Sequence, residues 1–426
     1  MLCAEAEVCW TRTPLYDPAT FGENIPNLLK QIEMAIAPEG GDDEDQDEAA
    51  ADFSAEDARQ ELERLREDEQ PAAASADSGG MCALPAQVPN LPEGLRITTE
   101  MKQLLSTLLT SDKNRIGFCG MGGIGKTTIS TWLVREEGTR KQYDQIVWIT
   151  LGQQPNVEKL QELMHIQVTG AAFDGDPTPE QKQEHLKQSM AGKNLLLVLD
   201  DLWESAHEEL LNFIDDTTDS KVLVSSRVRG VLEGAEIVDV GLPTEDEAVQ
   251  MLLSVAGLPL DADAPPEARE VVKFCDRLPL ALGIAGKLVH EMGVTDDWDG
   301  VVELMQEEFS DSGQDRSMEE RIIRTSLNAI KGPHRDKIMR LFNAFAIVPE
   351  DTRIPIEMVA MLFEAESETP LPKPPSLLNI RRWLKVLIDR SLILGTVDRP
   401  SLHDIVMDFV VASKSDEARR SMNRRL

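Results

Sequence analysis

Short, nearly continuous apolar runs separated by helical-period segments mark the chain from about residue 90 to residue 241. "IGFC" (116–119), "QIVWITL" (145–151), "LLLVL" (195–199), "KVLVSS" (221–226) and "IVDV" (237–240) each read as a strand. They show little of the two-residue alternation that marks one wet face, so the pattern predicts strands buried on both sides, as in a parallel sheet. Between the first two runs, "KTTISTWLVREEG" places Ile129, Trp132 and Leu133 on one helical face, with Gly138 as the expected stop. Strands alternating with helices predict a doubly wound α/β domain over 91–241. Beyond it the strand signal fades. A helical domain is expected over 242–315, opening with "PTEDEAVQMLLSVAG". Residues 316–412 are also mostly helical, with "SLILGTV" and "RPSLHD" able to pair as a small hairpin behind a helix. No repeat of twenty to fifty residues interrupts this order.

Charge and composition set residues 1–90 apart. Residues 39–69 carry 15 Asp and Glu against 3 Arg, too little apolar surface to fold alone, so a solvated acidic linker is expected there. Ser54 and Asp57 have the spacing of a helix cap before "ARQELERLRE", and "PAAASADSGG" is linker composition. A net charge of −33 argues against a general polyanion binder while leaving room for one nucleotide held by a local positive field. With aromatics at 4%, the cores must be aliphatic. The cysteines, Cys3, Cys9, Cys82, Cys119 and Cys275, are unpaired in spacing, and the acidic N-terminus is unlike a signal peptide. No apolar run is long enough for a membrane span. The expected setting is cytoplasmic.

"GMGGIGKTT" (120–128) follows the first strand and opens a helix, which is the context the G-x-x-x-x-G-K-[ST] pattern requires. Gly120, Met121, Gly122, Gly123, Ile124 and Gly125 would turn consecutive backbone N–H groups inward around phosphate oxygens. The helix that follows aims its positive end at the same place. Lys126 supplies a full charge for the β- and γ-phosphates, and Thr127, with Thr128 beside it, brings a hydroxyl for Mg²⁺.

Two other strands end in charged residues. "LLLVLDD" ends in Asp200 and Asp201, and "KVLVSSR" in Arg227. Ligands of open α/β sheets lie beyond the carboxyl ends of the strands, so these residues should face the phosphate loop. Asp200 is expected to hold Mg²⁺ with Thr127, Asp201 to orient or activate the attacking water, and Arg227 to sense the γ-phosphate. Lys126, Asp201 and Arg227 form the expected catalytic set. Each alone also has an ordinary reading as a cap or surface charge. Trp203 reads as a packing residue and Cys119 as an inert buried thiol. No Cys/His spacing for zinc is present.

These motifs, with "YDQIVWITLGQQPNVEKLQ", "RLPLAL", "FAIVPED" and "LHDIVMDF" in that order from about 95 to 412, resemble NB-ARC proteins. That group of STAND signalling NTPases includes plant NLR immune receptors and the apoptotic protease-activating factor. The resemblance implies a nucleotide-binding domain, a helical domain and a winged helix over 316–412, leaving 413–426 as a basic tail. It implies a switch that is closed with ADP, opened by exchange for ATP to self-oligomerise and signal, and reset by slow hydrolysis. It places Pro279 of "RLPL" against the nucleotide and His403 of "LHD" on the β-phosphate of ADP. Arg277 stands where the family pattern has glycine, and Leu402 where it has methionine. "GLRITTEM" (94–101) is the candidate for the adenine-contacting segment. No effector domain is evident before residue 90 and no repeat array after 412, so either this is a minimal or truncated form or its sensor and effector are separate proteins. A multiple-turnover ATPase and a nucleic-acid regulator acting through the winged helix are the competing functions. Residues 316–426 hold 19 Lys and Arg against 15 Asp and Glu, a weak footprint for nucleic acid.

Overall fold

The computed structural model describes residues 80–92, 94–175, 177–260, 264–293, 298–311, 316–348, 352–366 and 375–426. The expected acidic linker and the short helix after Ser54 lie outside these residues. The described chain begins with an extended strap. Cys82 exchanges backbone and guanidinium hydrogen bonds with Arg140, and Arg135 donates to the Pro89 carbonyl at 2.7 Å.

The α/β region runs α1 (Thr99–Thr110), β1 (Arg115–Cys119), α2 (Lys126–Arg135), α3 (Glu137–Gln142), β2 (Gln145–Thr150), α4 (Val157–Thr169), α5 (Pro179–Met190), β3 (Leu195–Leu202), α6 (Ser205–Glu209), β4 (Lys221–Ser226) and β5 (Glu236–Asp239). The strands form one sheet in the order β2-β3-β4-β1-β5, with every pair parallel. Successive residues feed opposite layers. Ile146, Trp148, Leu196 and Val198 pack with α1 and α2. Val147, Ile149, Leu195, Leu197 and Leu199 pack with α4 and α5. Burial on both faces is why these strands read as unbroken apolar runs.

Gly138 does not end the helix it follows. α2 stops at Glu136, whose N–H bonds back to Leu133 and Trp132, and Gly138 sits inside α3. A Cβ there would approach Leu109 of α1 to 3.1 Å, so this glycine serves close helix packing.

The remainder is helical: α7 (Glu245–Ala256), α8 (Pro266–Phe274), α9 (Pro279–Glu291), α10 (Trp298–Asp311), α11 (Met318–Asn328), α12 (Arg335–Ala344), α13 (Ile356–Ala365), α14 (Leu377–Asp389), α15 (Asp404–Ala412) and α16 (Asp416–Arg425). The expected hairpin is present between α14 and α15 as β6 (Leu394–Gly395) and β7 (Pro400–Ser401), antiparallel. Thr244 starts α7 with a reciprocal capping box to Glu247. α7 to α15 share one hydrophobic core, reached from α16 by buried Met422 and linked across the middle by Ile322, Ile323 and Leu327 of α11; it is not purely aliphatic as expected, since Trp298, Phe342, Phe345, Phe363 and Trp383 are buried in it. No helix among the described residues is long and apolar enough to cross a membrane.

Candidate nucleotide-binding site

The loop after β1 turns through two left-handed glycines, Gly123 (φ 73°) and Gly125 (φ 94°), and Gly125 is the cap residue of α2. That conformation is open to glycine at little cost. Gly123 needs its bareness for a second reason. A Cβ there would lie 3.0 Å from Ile405, 3.1 Å from Leu278 and 3.2 Å from Leu280. The Leu280 N–H donates to the Gly123 carbonyl at 3.1 Å. Pro279, which has no N–H, takes the first position of α9, so the next N–H in the turn is the one the loop satisfies. The loop thus touches α9 and α15, both from the helical region.

Lys126 is buried, and its ammonium donates to the Gly120 and Met121 carbonyls at 3.1 Å each. Burial, and then the nearby charge of Arg227, lower its pKa, against the pull of Asp201 and Asp200. Met121 contributes its carbonyl while its side chain is half exposed, and Ile124 is buried. Thr127 is exposed in the first turn of α2, with Thr128 beside it.

Asp200 is fully buried at the end of β3. Its Oδ1 accepts from Ser225 at 2.6 Å and from Ser130 at 3.4 Å, while its Oδ2 has no protein partner. Burial raises its pKa, opposed first by the hydrogen bond from the Ser225 hydroxyl. A buried carboxylate oxygen without a partner beside a threonine hydroxyl fits a divalent cation. Among the described residues no three His, Cys, Asp or Glu side chains converge as a metal site. A cation here would therefore share its coordination with phosphate, as Mg²⁺ commonly does.

Asp201 departs from regular strand geometry. β3 slips register against β4 between Leu199 and Leu202, and Asp201 takes φ 57°. Its N–H donates to Ser225 Oγ at 2.9 Å. Its Oδ2 accepts from the Trp203 indole at 2.9 Å, and its Oδ1 faces Arg227 Nε at 3.5 Å. With the bulge the two carboxylates keep different partners at this edge, Asp200 the hydroxyls of Ser225 and Ser130 and Asp201 the Trp203 indole and Arg227. Left-handed conformations in non-glycine residues cost about 1–3 kcal/mol and persist where surroundings hold them.

Arg227 ties the site together. It forms an ion pair with Asp404, lies 5.2 Å from the Trp203 ring centre, and comes within 3.1 Å of where a Gly122 Cβ would stand. His403 caps α15, its Nδ1 contacting both the Ile405 N–H and Asp404 Oδ1. One edge of the ring is open to solvent, yet the surrounding protein desolvates it. Burial first, then Arg227 and Lys126, push its pKa down to about 4. The ring is therefore neutral near pH 7 in this arrangement.

The structure brings the loop, Asp200, Asp201, Arg227, Pro279 and His403 to one place. Sequence reading missed Ser130, Ser225 and Asp404 as partners, and it took Trp203 for packing. The signal available for Trp203 was its position two residues beyond Asp201, within reach only because the strand bulges there. Asp404 adjoined a named candidate, but nothing in the sequence paired it with Arg227. Arg277 also gains an explanation. It takes φ 59°, directly after Asp276 at φ 44°, so it occupies a backbone shape where glycine is the least strained choice.

Comparison with known proteins matches the region that carries the phosphate loop. Residues 97–257 match the NB-ARC domain. A disease resistance protein of Arabidopsis thaliana is 26% identical over 335 residues, covering 73% of this chain and 33% of that protein. Apoptotic protease-activating factor 1 of Danio rerio is 23% identical over 324 residues, covering 71% of this chain and 24% of that protein. The chain thus spans only about a quarter to a third of the length of these two relatives. Among solved structures, a signal transduction ATPase with numerous domains and a tetratricopeptide repeat sensor, from Pyrococcus horikoshii, aligns with a TM-score of 0.49 and 15% identity. That alignment covers 80% of this chain and 46% of the other. Through residues 97–257 the chain carries an NB-ARC nucleotide-binding domain, similar to those of plant disease-resistance proteins and the apoptotic protease-activating factor.

Proposed function

We propose that the protein is an ADP/ATP-operated switch in defence- or cell-death-type signalling, set in the cytoplasm. ADP holds it closed, exchange for ATP opens it for self-association, and slow hydrolysis resets it. The observation that carries this reading is the Arg227–Asp404 ion pair. It joins the sheet edge beside the phosphate loop directly to α15, so what occupies the loop bears on how the helical region docks. A switch needs an interaction that differs between its two states, and this contact provides one. In this reading 316–412 act as a winged helix.

The roles follow from position. The loop from Gly120 to Thr128 holds the phosphates, with Lys126 leaving its two carbonyls for the β- and γ-phosphates. Pro279 lies against the nucleotide. His403 meets the β-phosphate of ADP, where a negative charge favours its protonated form and offsets the two cations beside it. Thr127 and Asp200 would hold Mg²⁺, which supplies charge neutralisation on the phosphates. Asp201 orients the attacking water. Arg227 exchanges Asp404 for the γ-phosphate when ATP is bound.

Protein purified without added nucleotide and then denatured should release about one ADP per chain. ATP or an empty site would instead favour a multiple-turnover ATPase. The ion pair has its own test. Removing one partner of a desolvated charge pair costs roughly 2–5 kcal/mol, with the low end expected where both side chains keep some solvent. Asp404→Ala should therefore speed dissociation of a fluorescent ADP analogue about 30-fold. His403→Ala removes one charge-assisted hydrogen bond, worth about 1.5–3 kcal/mol, and should speed it about tenfold or more. Wild-type dissociation in both variants would show that α15 packs beside the site without latching it.

A further inference from the structure

We propose that Trp203 is a positioning residue for hydrolysis: its indole N–H fixes the orientation of Asp201, and the face of the same ring seats Arg227. The inference rests on the reading of this site as an ATP-hydrolysing switch and assigns it a further residue.

Trp203 is half-buried and belongs to none of the three hydrophobic cores of the described residues. Its specific contacts lie elsewhere. The indole N–H donates to Asp201 Oδ2 at 2.9 Å, and the Arg227 guanidinium carbon stands 5.2 Å from the ring centre. One rigid side chain therefore touches both the carboxylate and the cation that pairs with it.

The consequence lies in how Asp201 divides its two oxygens. Oδ2 is occupied by the indole N–H, which fixes rotation of the carboxylate and leaves Oδ1 facing Arg227. While Arg227 pairs with Asp404, it also lies against Oδ1 and holds Asp201 out of action. When Arg227 turns to the γ-phosphate, Oδ1 is released while Oδ2 stays anchored. In the reaction, the water oxygen bonds to the γ-phosphorus and the bond to the β–γ bridging oxygen breaks, its electron pair leaving with ADP. The water proton passes to Oδ1. Asp201 must hold a left-handed backbone shape to do this, and the indole is one of the few groups holding it there.

The two contacts can be separated in the full chain. Trp203→Phe keeps a ring under Arg227 and deletes the N–H. Trp203→Leu deletes both, and Asp201→Ala is the reference. Single-turnover ATP hydrolysis, ATP affinity and dissociation of a fluorescent ADP analogue are measured for each. Trp203→Phe should slow hydrolysis about 10-fold or more, the range for one hydrogen bond to a charged group, with ATP affinity and ADP dissociation within about 2-fold of wild type. Trp203→Leu should slow hydrolysis likewise and also speed ADP dissociation about 2–5-fold, because Arg227 loses its seat. Hydrolysis by Trp203→Phe at the wild-type rate overturns the proposal. So does loss of ATP binding in that variant, which would make the residue structural, or ADP release as fast as in Trp203→Leu. If Asp201→Ala also hydrolyses at the wild-type rate, the reading of the site falls with it. A slow Asp201→Ala beside a normal Trp203→Phe removes the role of Trp203 alone.

Discussion

Lys126→Ala should lower nucleotide affinity at least about 100-fold, with little change in melting temperature. The ammonium is buried with two loop carbonyls as its hydrogen-bond partners. Burial and Arg227 both work against its charge, so the folded protein gains little from keeping a cation there. Two phosphate groups would reverse that balance. Each charge-assisted hydrogen bond is worth about 1.5–3 kcal/mol, and a lysine between two phosphates makes at least two. Alanine removes the cation while Gly123 and Gly125 keep the loop in shape. A calorimetric titration with ADP and ATP, paired with a thermal melt, measures both effects. Retained affinity would mean that the loop does not bind phosphate through Lys126. A collapsed melt would mean that the lysine holds the loop together.

How far the sequence carries toward this site depends on the distance over which each interaction acts. All five strands could be placed because two-faced burial imposes an apolar run on any parallel strand, whatever surrounds it. The phosphate loop could be placed because its pattern is local, although Gly123 answers also to Leu278, Leu280 and Ile405, which no local pattern records. Gly138 was misplaced because its cause is Leu109, on another helix, and no local rule records that contact. The contact of Trp203 with Asp201 was not legible because an indole near a strand end usually packs, and only the slip of β3 at Asp201 brings it to a carboxylate. The Arg227–Asp404 pair joins residues far apart in sequence, one from the sheet region and one from the helical region. Charge alone could not single it out among so many arginines and aspartates.

The adjacent carboxylates should fail in different ways when each is replaced. Asp200 is fully buried, held through Oδ1 by two serines, and has Oδ2 unpartnered near Thr127. Such a carboxylate is costly to keep charged, and a divalent cation is the natural compensation. Asp200→Ala should therefore weaken binding of ATP with Mg²⁺ about tenfold or more and leave Mg²⁺-free binding nearly unchanged. Asp201 lies one residue on but faces the other way, anchored by Trp203 and opposite Arg227. Its contacts are with Trp203 and Arg227, and in the proposed switch its Oδ1 would meet the attacking water. Asp201→Ala should leave ATP binding within about 2-fold while slowing single-turnover hydrolysis about 100-fold or more, the contribution expected of a positioned proton acceptor. The bulge in β3 makes this separation possible. A regular strand would send the side chains of consecutive residues to opposite faces of the sheet, away from a shared ligand. Here the irregular step leaves both at the ligand edge with different partners. Titrating ATP with and without Mg²⁺, beside single-turnover hydrolysis for each variant, separates the two roles. Matching defects would mean that the pair acts as one acidic patch and that the bulge does not divide it.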